Sequence, residues 1–588
     1  MKQFFKFMFA SMLGIFLMFV LASIVFFSFL FITVSGLQSK TESISSNTVL
    51  EIKLDSPLPE RTIRNPFAGF RFAMKMNKQT GLNTILANIR KAGIDDDIKG
   101  IYLDLNDFSA GGLATTEAVR RELLSFKKSG KFIIAFGNNI TQGAYYLATA
   151  ADKIYMPPTG GIQFKGLGVE LTFFKNTLDK LEIEPQIFHY GKYKSAIEPF
   201  KFDKMSDNNK LQLNVLLKSA NDYMLNNISA SRNLEYSFLF NAADKYLITS
   251  PKEAMEYKLI DSLLYYDQVV EILKAKSSIK ENENLRTISI DEYTDVKPEE
   301  QSNSEQKIAV IYALGEISNT GGNESSIGAE NITEALRKAR EDNTIKAVVM
   351  RVNSPGGDAM VSDLIWREAE LTKAQKPFIV SMGSVAASGG YYISCVADTI
   401  VAEPNTITGS IGVFGIIPNM QSFFKNKLGV TFDRVTTGRH SDFMTVTRPL
   451  TTDEKQIVQK EIDRIYETFV TKAAQGRKKK FEQIHEIAQG RVWTGLQAKE
   501  NGLVDIIGGL DDAIRIAAAK AKLVQYGIVE YPGVKTLFQK LLNDLSGEAG
   551  ISLAKYKLGE NYQYFERFRK IEELRGMQTR MPFDLDIY

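Results

Sequence analysis

The sequence predicts an α/β fold built from two tandem copies of one domain. The first observation is an internal repeat: residues 131–146 read KFIIAFGNNITQGAYY and residues 377–392 read PFIVSMGSVAASGGYY, an offset of 246. The second is the alternation, within each copy, of short apolar runs and amphipathic stretches, which is typical of parallel strands covered by helices. The third is a polar, charged stretch between the copies.

The repeat extends over most of the chain. IRKAGIDDDIKG from residue 89 resembles LRKAREDNTIKA from residue 336, FFKN at 173 recurs at 423, and KEAMEYKLID at 252 resembles LQAKENGLVD at 496. The offsets stay between 244 and 250. They indicate duplication of a domain of roughly 220–240 residues, a size that suits one packed domain.

These patterns divide the chain into five parts. They are a cytoplasmic tip and transmembrane anchor (1–36), a first copy (37–274), a polar linker (275–306), a second copy (307–524) and a C-terminal extension for capping or assembly (525–588). In the second copy, the runs IKAVVMRV, PFIVSMG and DTIVAEP predict buried strands. NITEALRKARED and SDLIWREAELTKAQ have apolar residues at helical spacing and predict helices that cover the sheet.

The N-terminal segment predicts an uncleaved membrane anchor. Residues 7–34 are 28 consecutive residues without a charged or amide side chain. At about 1.5 Å per residue, such a helix more than spans a hydrocarbon core of about 30 Å. Lys2 and Lys6 precede it, so we expect a single-pass protein with its N-terminus in the cytoplasm and its body outside the cytoplasmic membrane. A cleaved signal sequence, which would export the body without a tether, is the alternative.

Composition argues against several classes of function. The net charge is +3 and no basic stripe stands out, so we predict no nucleic-acid binding; the RKKK run at 477–480 fits a solvated helix face. Cys395 is the one cysteine, which excludes an intrachain disulfide, and its apolar surroundings predict a small core residue. His189, His440 and His485 lack the spacing of metal ligands, so we predict neither a metal nor a cofactor.

The two copies differ at the positions that carry chemistry. Ser388, flanked by small residues in AASGGYY, aligns with Gln142 of the first copy, whereas Lys194 in GKYKSAIEPF aligns with Ser441 of the second. A serine beside a neutral lysine is a nucleophile with its base. The ordinary pKa of lysine is about 10.4, so burial or a nearby cation must lower it. Glu198 would oppose that change if it came close.

Two glycine-rich turns are candidates for binding an oxyanion. The segment after Ser388 can begin a helix, whose first N–H groups suit the negative charge of a tetrahedral intermediate. Gly356 or Gly357, in NSPGGD, follows a predicted strand and offers a second donor. Turns after neighbouring parallel strands converge at one edge of a sheet. Each turn alone is no more than a tight connection; together with the lysine loop they indicate catalysis.

The motifs YKSAIEPF, NSPGGD and ASGGYY together resemble the signal peptide peptidase A proteins (protease IV) in their long, duplicated bacterial form. The resemblance implies a crotonase/Clp-protease-like fold and a membrane-anchored serine endopeptidase that degrades cleaved signal peptides at the cytoplasmic membrane. It implies that Ser388 is the nucleophile and Lys194 the general base, and that Ser410, in TGSIGVFG, orients the lysine. Gly389 and Gly357 are the implied oxyanion donors.

The resemblance also implies a homotetramer, peptide substrates and lipid contact through residues 7–34. Two other functions stay open. A crotonase-type acyl-transfer enzyme is disfavoured by the predicted export of the body, because CoA is cytosolic. A non-enzymatic scaffold at the membrane is disfavoured by the intact serine–lysine pair. We expect Ser388 and Lys194 to pair within one chain because the linker holds the copies together; pairing between chains is the alternative.

Overall fold

The computed structural model describes residues 2–37, 44–62, 80–296, 304–319, 322–323, 325–533 and 577–581. Up to residue 293 the strands are β1 (Thr48–Lys53), β2 (Ile98–Asp104), β3 (Phe132–Phe136), β4 (Asn139–Ile140), β5 (Lys153–Met156), β6 (Gly161–Ile162), β7 (Glu184–Tyr190), β8 (Ser262–Leu263) and β9 (Thr287–Ser289). The α-helices there are α1 (Lys2–Leu37), α2 (Leu82–Ile94), α3 (Leu113–Phe126), α4 (Gln142–Ala148), α5 (Lys175–Leu181), α6 (Glu198–Lys201), α7 (Asp207–Arg232), α8 (Tyr236–Asp244), α9 (Pro251–Glu256), α10 (Tyr266–Lys276) and α11 (Ile290–Tyr293).

From residue 307 the strands are β10 (Lys307–Leu314), β11 (Glu316–Ser318), β12 (Ser326–Gly328), β13 (Ile345–Ser354), β14 (Gly356–Asp358), β15 (Phe378–Ala387), β16 (Thr399–Ala402), β17 (Ile407–Gly409), β18 (Val413–Asn419), β19 (Val492–Thr494), β20 (Ile506–Ile507), β21 (Gly527–Tyr531) and β22 (Met577–Arg580). The α-helices there are α12 (Ala329–Glu341), α13 (Ala359–Lys373), α14 (Gly389–Ser394), α15 (Thr452–Gly476), α16 (Phe481–Ile487), α17 (Gly495–Glu500) and α18 (Leu510–Lys520).

Each copy contributes one main sheet. The first runs in the order β8-β5-β3-β2-β1-β9 with all of its pairs parallel. The second runs β19-β17-β15-β13-β10-β21. Outside this order, β16 also pairs with β15, and β20 pairs with β16. The strands predicted at 345–352, 377–383 and 398–404 are β13, β15 and β16, and the predicted helices are α12 and α13. The predicted α/β fold class is confirmed.

Equivalent side chains anchor both copies in the same way. Tyr145 and Tyr391, which the repeat aligns, are fully buried. The Tyr145 hydroxyl donates to the carbonyl oxygen of Leu259 over 2.9 Å, and the Tyr391 hydroxyl donates to that of Leu503 over 3.0 Å. The same long-range hydrogen bond in both halves reflects one ancestral packing arrangement.

The segment predicted as a linker contributes to the first sheet. β9, at 287–289, pairs in parallel with β1, and α11 follows it. Ile288, Ile290 and Tyr293 are buried in the first copy. A few buried apolar side chains within a polar stretch are enough to add an edge strand, which the overall polarity of residues 275–306 conceals.

A third sheet joins the two copies. Its order is β12-β11-β14-β22-β18-β7, and β7 of the first copy pairs antiparallel with β18 of the second over seven residue pairs, from Tyr190 opposite Val413 to Glu184 opposite Asn419. The backbone hydrogen bonds of this pairing fix the register of one copy against the other. β22, from the C-terminal extension, lies inside the same sheet.

Helix α1 lies at the N-terminus. Its stretch Lys6–Ser23 is apolar and long enough to cross a membrane, and it is not buried against the rest of the chain. Within α1 the side chains from Phe7 to Phe19 that the structure describes are largely exposed, with Phe16 and Phe19 among them. Length and composition therefore fit the predicted anchor.

A buried ion pair also fixes the two copies against each other. Glu60, from the first copy, accepts from Arg351 Nε over 2.9 Å and from Asn353 Nδ2 over 2.8 Å. The other side of the Arg351 guanidinium donates to Ser381 Oγ and to the Met382 carbonyl oxygen. The Arg351 and Glu60 side chains are 4% and 7% exposed, so neither charge reaches bulk water.

We predict that Glu60→Ala destabilises the protein by about 3–5 kcal/mol, because it leaves the Arg351 charge buried without its partner. The measurement is the urea midpoint of unfolding. Glu334→Ala is the control, since Glu334 pairs with Lys338 on an exposed helix face and should have little effect. Equal midpoints for Glu60→Ala and the wild type would show that the ion pair does not hold the copies together.

Candidate active site

Ser388 sits at a sharp turn between a strand and a helix. β15 ends at Ala387 and α14 begins at Gly389, so Ser388 is the N-cap of that helix. Its φ of 54° and ψ of −115° are unusual for a residue with a side chain and store strain of about 1–3 kcal/mol. Its N–H donates to the carbonyl oxygen of Gly409 over 2.8 Å, which ties the turn to β17. The local fold therefore holds the serine hydroxyl at the edge of the second sheet.

The antiparallel register between the copies positions Lys194. β7 ends at Tyr190, opposite Val413, and residues 191–193 then form a turn that brings Lys194 beside Ser410 of the second copy. The N–H of Tyr193 donates to the Gln489 carbonyl oxygen over 2.9 Å, which fixes the loop. Lys194 thus reaches the serine turn from the opposite copy.

Three oxygen atoms surround the Lys194 amine. Lys194 Nζ lies 2.8 Å from Ser388 Oγ, 3.1 Å from Ser410 Oγ and 3.2 Å from the Ser410 carbonyl oxygen. Lys194 is 2% exposed, and the two serines are fully buried. Ser410 also has a left-handed φ of 49°. One chain therefore brings together the predicted serine, the predicted lysine and the predicted orienting serine.

Close backbone packing leaves the lysine stem little freedom. A Cβ atom on Gly490, whose φ is +83°, would lie 2.5 Å from the Lys194 backbone nitrogen, so no larger residue fits there. Gln212, on α7, donates from Nε2 to the Tyr193 carbonyl oxygen over 3.1 Å and to Ser195 Oγ over 2.7 Å. These hydrogen bonds hold the residues on both sides of Lys194. The backbone on both sides of Lys194 is therefore tied to α7 and packed against Gly490.

Burial favours the neutral form of the lysine. The surrounding protein removes water from the ammonium group and lowers the pKa of Lys194 well below its ordinary value. Glu198 does not pair with the amine. Its carboxylate accepts from Ser206 Oγ over 2.6 Å, from the Ser206 N–H over 3.1 Å and from Asn209 Nδ2 over 3.0 Å. The carboxylate that could have kept the lysine charged is bound elsewhere.

Glycines line the other side of Ser388. A Cβ atom on Gly356, whose φ is +99°, would lie 2.7 Å from the Gly389 nitrogen and 3.0 Å from the Ala387 carbonyl oxygen. The Gly356 N–H donates to Ser354 Oγ over 3.2 Å. Gly357, the next residue, pairs with its neighbours in the third sheet. The two glycine-rich turns therefore converge beside the serine, as parallel-strand topology predicts.

The residues that the repeat aligns with Ser388 and Lys194 have other roles. Gln142, which aligns with Ser388, accepts at Oε1 from the N–H groups of Lys165 and Gly166 over 2.8 Å and 2.9 Å. Ser441, which aligns with Lys194, lies in an exposed turn, where its hydroxyl donates to the Gly438 carbonyl oxygen over 3.0 Å. Duplication has thus left one composite site with a part from each copy.

Other sequence candidates lie away from this chemistry. Cys395 is buried, and burial raises the pKa of its thiol to about 12, so it stays protonated and unreactive at neutral pH. Among the described residues, no group of three His, Cys, Asp or Glu side chains is arranged to hold a metal ion. Sequence analysis missed Gln212, because a glutamine inside a long helix gives no local signal of its role.

Comparison with known proteins identifies the class of enzyme. The model of Peptidase family S49 matches residues 125–280 and again 370–524, together more than half of the chain. Protease 4 of Salmonella typhi is 37% identical over 479 residues, covering 80% of this chain and 77% of that protein. Protease 4 of Haemophilus influenzae is 39% identical, covering 73% and 71%. Serine protease SPPA, chloroplastic, of Arabidopsis thaliana is 36% identical, covering 76% and 67%.

These matches define a serine peptidase, an enzyme that hydrolyses peptide bonds. The chain belongs to peptidase family S49. The two separate matches of one family model confirm the tandem duplication and the resemblance found in the motifs. Among solved structures, a point mutant of ClpP1 from Listeria monocytogenes has a TM-score of 0.24 and 19% identity, covering 35% of this chain and 94% of that one.

Replacing Lys194 by methionine should raise the melting temperature at pH 7 by a few degrees. In the unfolded chain this lysine is protonated at pH 7, whereas burial disfavours its protonated form in the folded state, so folding has to release a proton or bury a charge. The stabilisation should shrink as the pH rises toward the ordinary lysine pKa, where the unfolded chain also loses the proton.

The measurement is thermal unfolding at pH 7 and at pH 10. Lys192→Met is the matched control, because Lys192 lies on the same loop and is exposed. A fall in the melting temperature of Lys194→Met at pH 7 would contradict the argument that burial of the amine is costly.

Proposed function

We propose that this peptidase is a membrane-anchored endopeptidase that uses a Ser388–Lys194 dyad to degrade cleaved signal peptides at the cytoplasmic membrane. One observation carries the proposal: Lys194 Nζ lies 2.8 Å from Ser388 Oγ inside a buried site. Burial lowers the pKa of the lysine, so its amine can be a base near neutral pH.

The hydrogen-bond geometry also fits a neutral amine, the form that burial favours. Such an amine has two N–H donors and one lone pair. The two oxygens of Ser410, at 3.1 Å and 3.2 Å, accept the two N–H groups. The lone pair then points to Ser388 Oγ and accepts its proton. In this role Ser410 orients the base, and its own position is fixed because its N–H donates to the Arg491 carbonyl oxygen over 2.7 Å.

The reaction follows from these positions. Lys194 removes the proton from Ser388 as the serine oxygen attacks a peptide carbonyl carbon. The N–H groups of Gly389 and Gly357 stabilise the negative oxygen, the first with the dipole of α14 behind it. Protonated Lys194 then gives its proton to the leaving amine. The neutral Lys194 amine then takes a proton from water as the water oxygen attacks the acyl carbon, and it returns that proton to Ser388 Oγ as the ester bond breaks.

The choice of substrate rests on the surroundings of the site. Ala387, Leu216, Val492 and Met581 form a buried apolar cluster next to the serine turn, and this apolar environment supports a peptide substrate with apolar side chains. Helix α1 is apolar enough to hold the enzyme in the lipid bilayer, where cleaved signal peptides accumulate. We propose that residues 7–34 span the membrane once with the N-terminus in the cytoplasm and the body outside. A homotetramer stays a prediction of the resemblance.

Ser388→Ala should lower peptide hydrolysis by about 10⁴–10⁶-fold, as loss of the nucleophile does in other serine peptidases. The measurement uses the purified full chain in detergent and a fluorogenic peptide with an apolar segment. A fluorophosphonate probe should label the wild type at Ser388 and leave the variant unlabelled. Unchanged hydrolysis by Ser388→Ala would rule out this serine mechanism, and a labelled enzyme without peptidase activity would favour acyl transfer.

The rate should rise with pH through the lowered pKa of Lys194 and then level, because only the neutral amine is a base. Lys194→Arg should be inactive at every pH, since the guanidinium keeps its charge. Ser410→Ala should keep partial activity, reduced by about 10–100-fold, because the base is still present but less well oriented. The check is kcat/KM from pH 5 to 10. A flat profile for the wild type would contradict Lys194 as the base.

A further inference from the structure

The first copy has a cavity that the proposed reaction does not use. The cavity has a volume of about 320 Å³ and is partly open to solvent. It lies where β1, β2 and β3 end, beside the first residue of α10, and its lining includes Glu51, Tyr102, Asp104, Asn106, Phe136 and Tyr266. Ligand sites in open α/β sheets lie at this edge, beyond the carboxyl ends of parallel strands.

Two carboxylates line this cavity without a cationic partner. In the part of the chain that the structure describes, no lysine or arginine forms an ion pair with Glu51 or Asp104. Lys53 is near both, but its Nζ lies 3.6 Å from Asp55 Oδ2 and 3.6 Å from Asp107 Oδ2. Burial, and next the charge of Asp104, raise the pKa of Glu51. The cavity therefore has a negative potential that these side chains do not balance.

Aromatic rings form another part of the wall. The ring centroid of Tyr266 lies 6.0 Å from that of Tyr102 and 5.7 Å from that of Phe136. Among the described residues, no lysine or arginine stands over any of these three rings. Aromatic faces attract organic cations, and ammonium groups are recognised in cages of this kind. Rings and carboxylates together thus favour one class of ligand.

The hydroxyl of Tyr102 is a further polar group at the cavity. Its residue is 3% exposed and lines the cavity, and within the described ranges the hydroxyl has no hydrogen-bond partner. Burial, followed by the charge of Asp104, raises the pKa of this phenol, so it is neutral and its oxygen can accept a hydrogen bond. A buried hydroxyl without a protein partner calls for a polar partner inside the cavity.

The second copy shows what fills the aligned position there. The repeat aligns Asp104 with Arg351 and Asn106 with Asn353. In the second copy, Arg351 and Asn353 both donate to Glu60, a carboxylate from the other copy. The first copy has the opposite charge at the aligned position, and the residues that line its cavity all belong to the first copy. A cation is therefore the complement that the first copy requires.

We propose that this cavity binds an aliphatic ammonium group, and that during proteolysis this group is a lysine side chain at the basic end of a peptide substrate. Aromatic walls favour an organic cation over a metal ion, and among the described residues no group of three His, Cys, Asp or Glu side chains is arranged to hold a metal. The assignment to lysine rests on the proposed function, because a signal peptide has a positively charged segment before its apolar one.

The first experiment measures binding without catalysis. A fluorescein-labelled peptide with lysines before an apolar segment is titrated with full-length Ser388→Ala in detergent, and Kd is obtained from fluorescence anisotropy. The matched peptide has norleucine, which lacks the ammonium group, in place of each lysine. The lysine peptide should bind about five- to thirtyfold more tightly, the range expected for a cation held by aromatic rings and carboxylates. Equal Kd values would overturn the assignment to a substrate lysine.

Variants of the cavity provide the matched comparison. Asp104→Asn and Glu51→Gln, each combined with Ser388→Ala, should weaken binding of the lysine peptide by about three- to tenfold and leave the norleucine peptide unchanged. Tyr266→Leu, at a half-exposed position, should act in the same way because it removes one ring. Glu334→Gln, at an exposed pair on α12, should change neither Kd. Equal losses for both peptides would show a structural effect and overturn the proposal.

A competition experiment distinguishes a free amine from a peptide lysine. Butylammonium chloride should displace the lysine peptide more strongly than potassium chloride at the same ionic strength, and Asp104→Asn should abolish that difference. Displacement by both salts alike would show screening alone and overturn the ammonium site. If butylammonium binds in an Asp104-dependent manner while both peptides have equal Kd values, the site takes free amines and its assignment to a substrate lysine is overturned.

Two further outcomes are separated from these. A neighbouring copy that fills the cavity would make the mass of the assembly, measured by light scattering, change in Asp104→Asn, and this would overturn the proposal. Failure of the proposed function would leave the wild type unable to cleave either peptide, while the difference in Kd between the two peptides would persist.

Discussion

The pairing of β7 with β18 is the constraint on which the site depends. Each strand comes from a different copy, and their antiparallel register places the loop after Tyr190 beside the segment that precedes Val413. A slip of one residue would turn the side chains to the opposite face of the strand and move Lys194 away from Ser388. Buried contacts such as Arg351 with Glu60 keep the copies from sliding, so the distance between Lys194 and Ser388 is set by the interface.

The same interface makes the site electrostatically unusual. A lysine enclosed between two copies loses its hydration, and the surrounding oxygens of Ser410 bind its N–H groups without supplying a compensating negative charge. Glu198, four residues away, is fully engaged with Ser206 and Asn209. Burial of this amine thus costs stability at the point where the lysine meets the serine. The left-handed backbone of Ser388 adds strain at the same place.

Duplication explains why the site needs both halves. In the first copy a glutamine, Gln142, binds backbone N–H groups at the position of the serine, and in the second an exposed turn with Ser441 replaces the lysine loop. Each copy thus carries one member of the proposed dyad and has a structural residue at the other position. The third sheet contains strands from both copies and from the C-terminal extension, so it joins all three parts of the chain.

The sequence by itself determined the α/β class, the duplication and the residue types of the site, because periodic burial, a constant offset and motifs such as ASGGYY are local patterns. It also paired Ser388 with Lys194 as a hypothesis from complementarity. Only the tertiary structure decided the distance between them, the neighbours of Glu198, the hydrogen bonds of Gln212 and the path of residues 577–581. These depend on contacts between segments far apart in the chain, which carry no periodic signal and form only when the two copies pack.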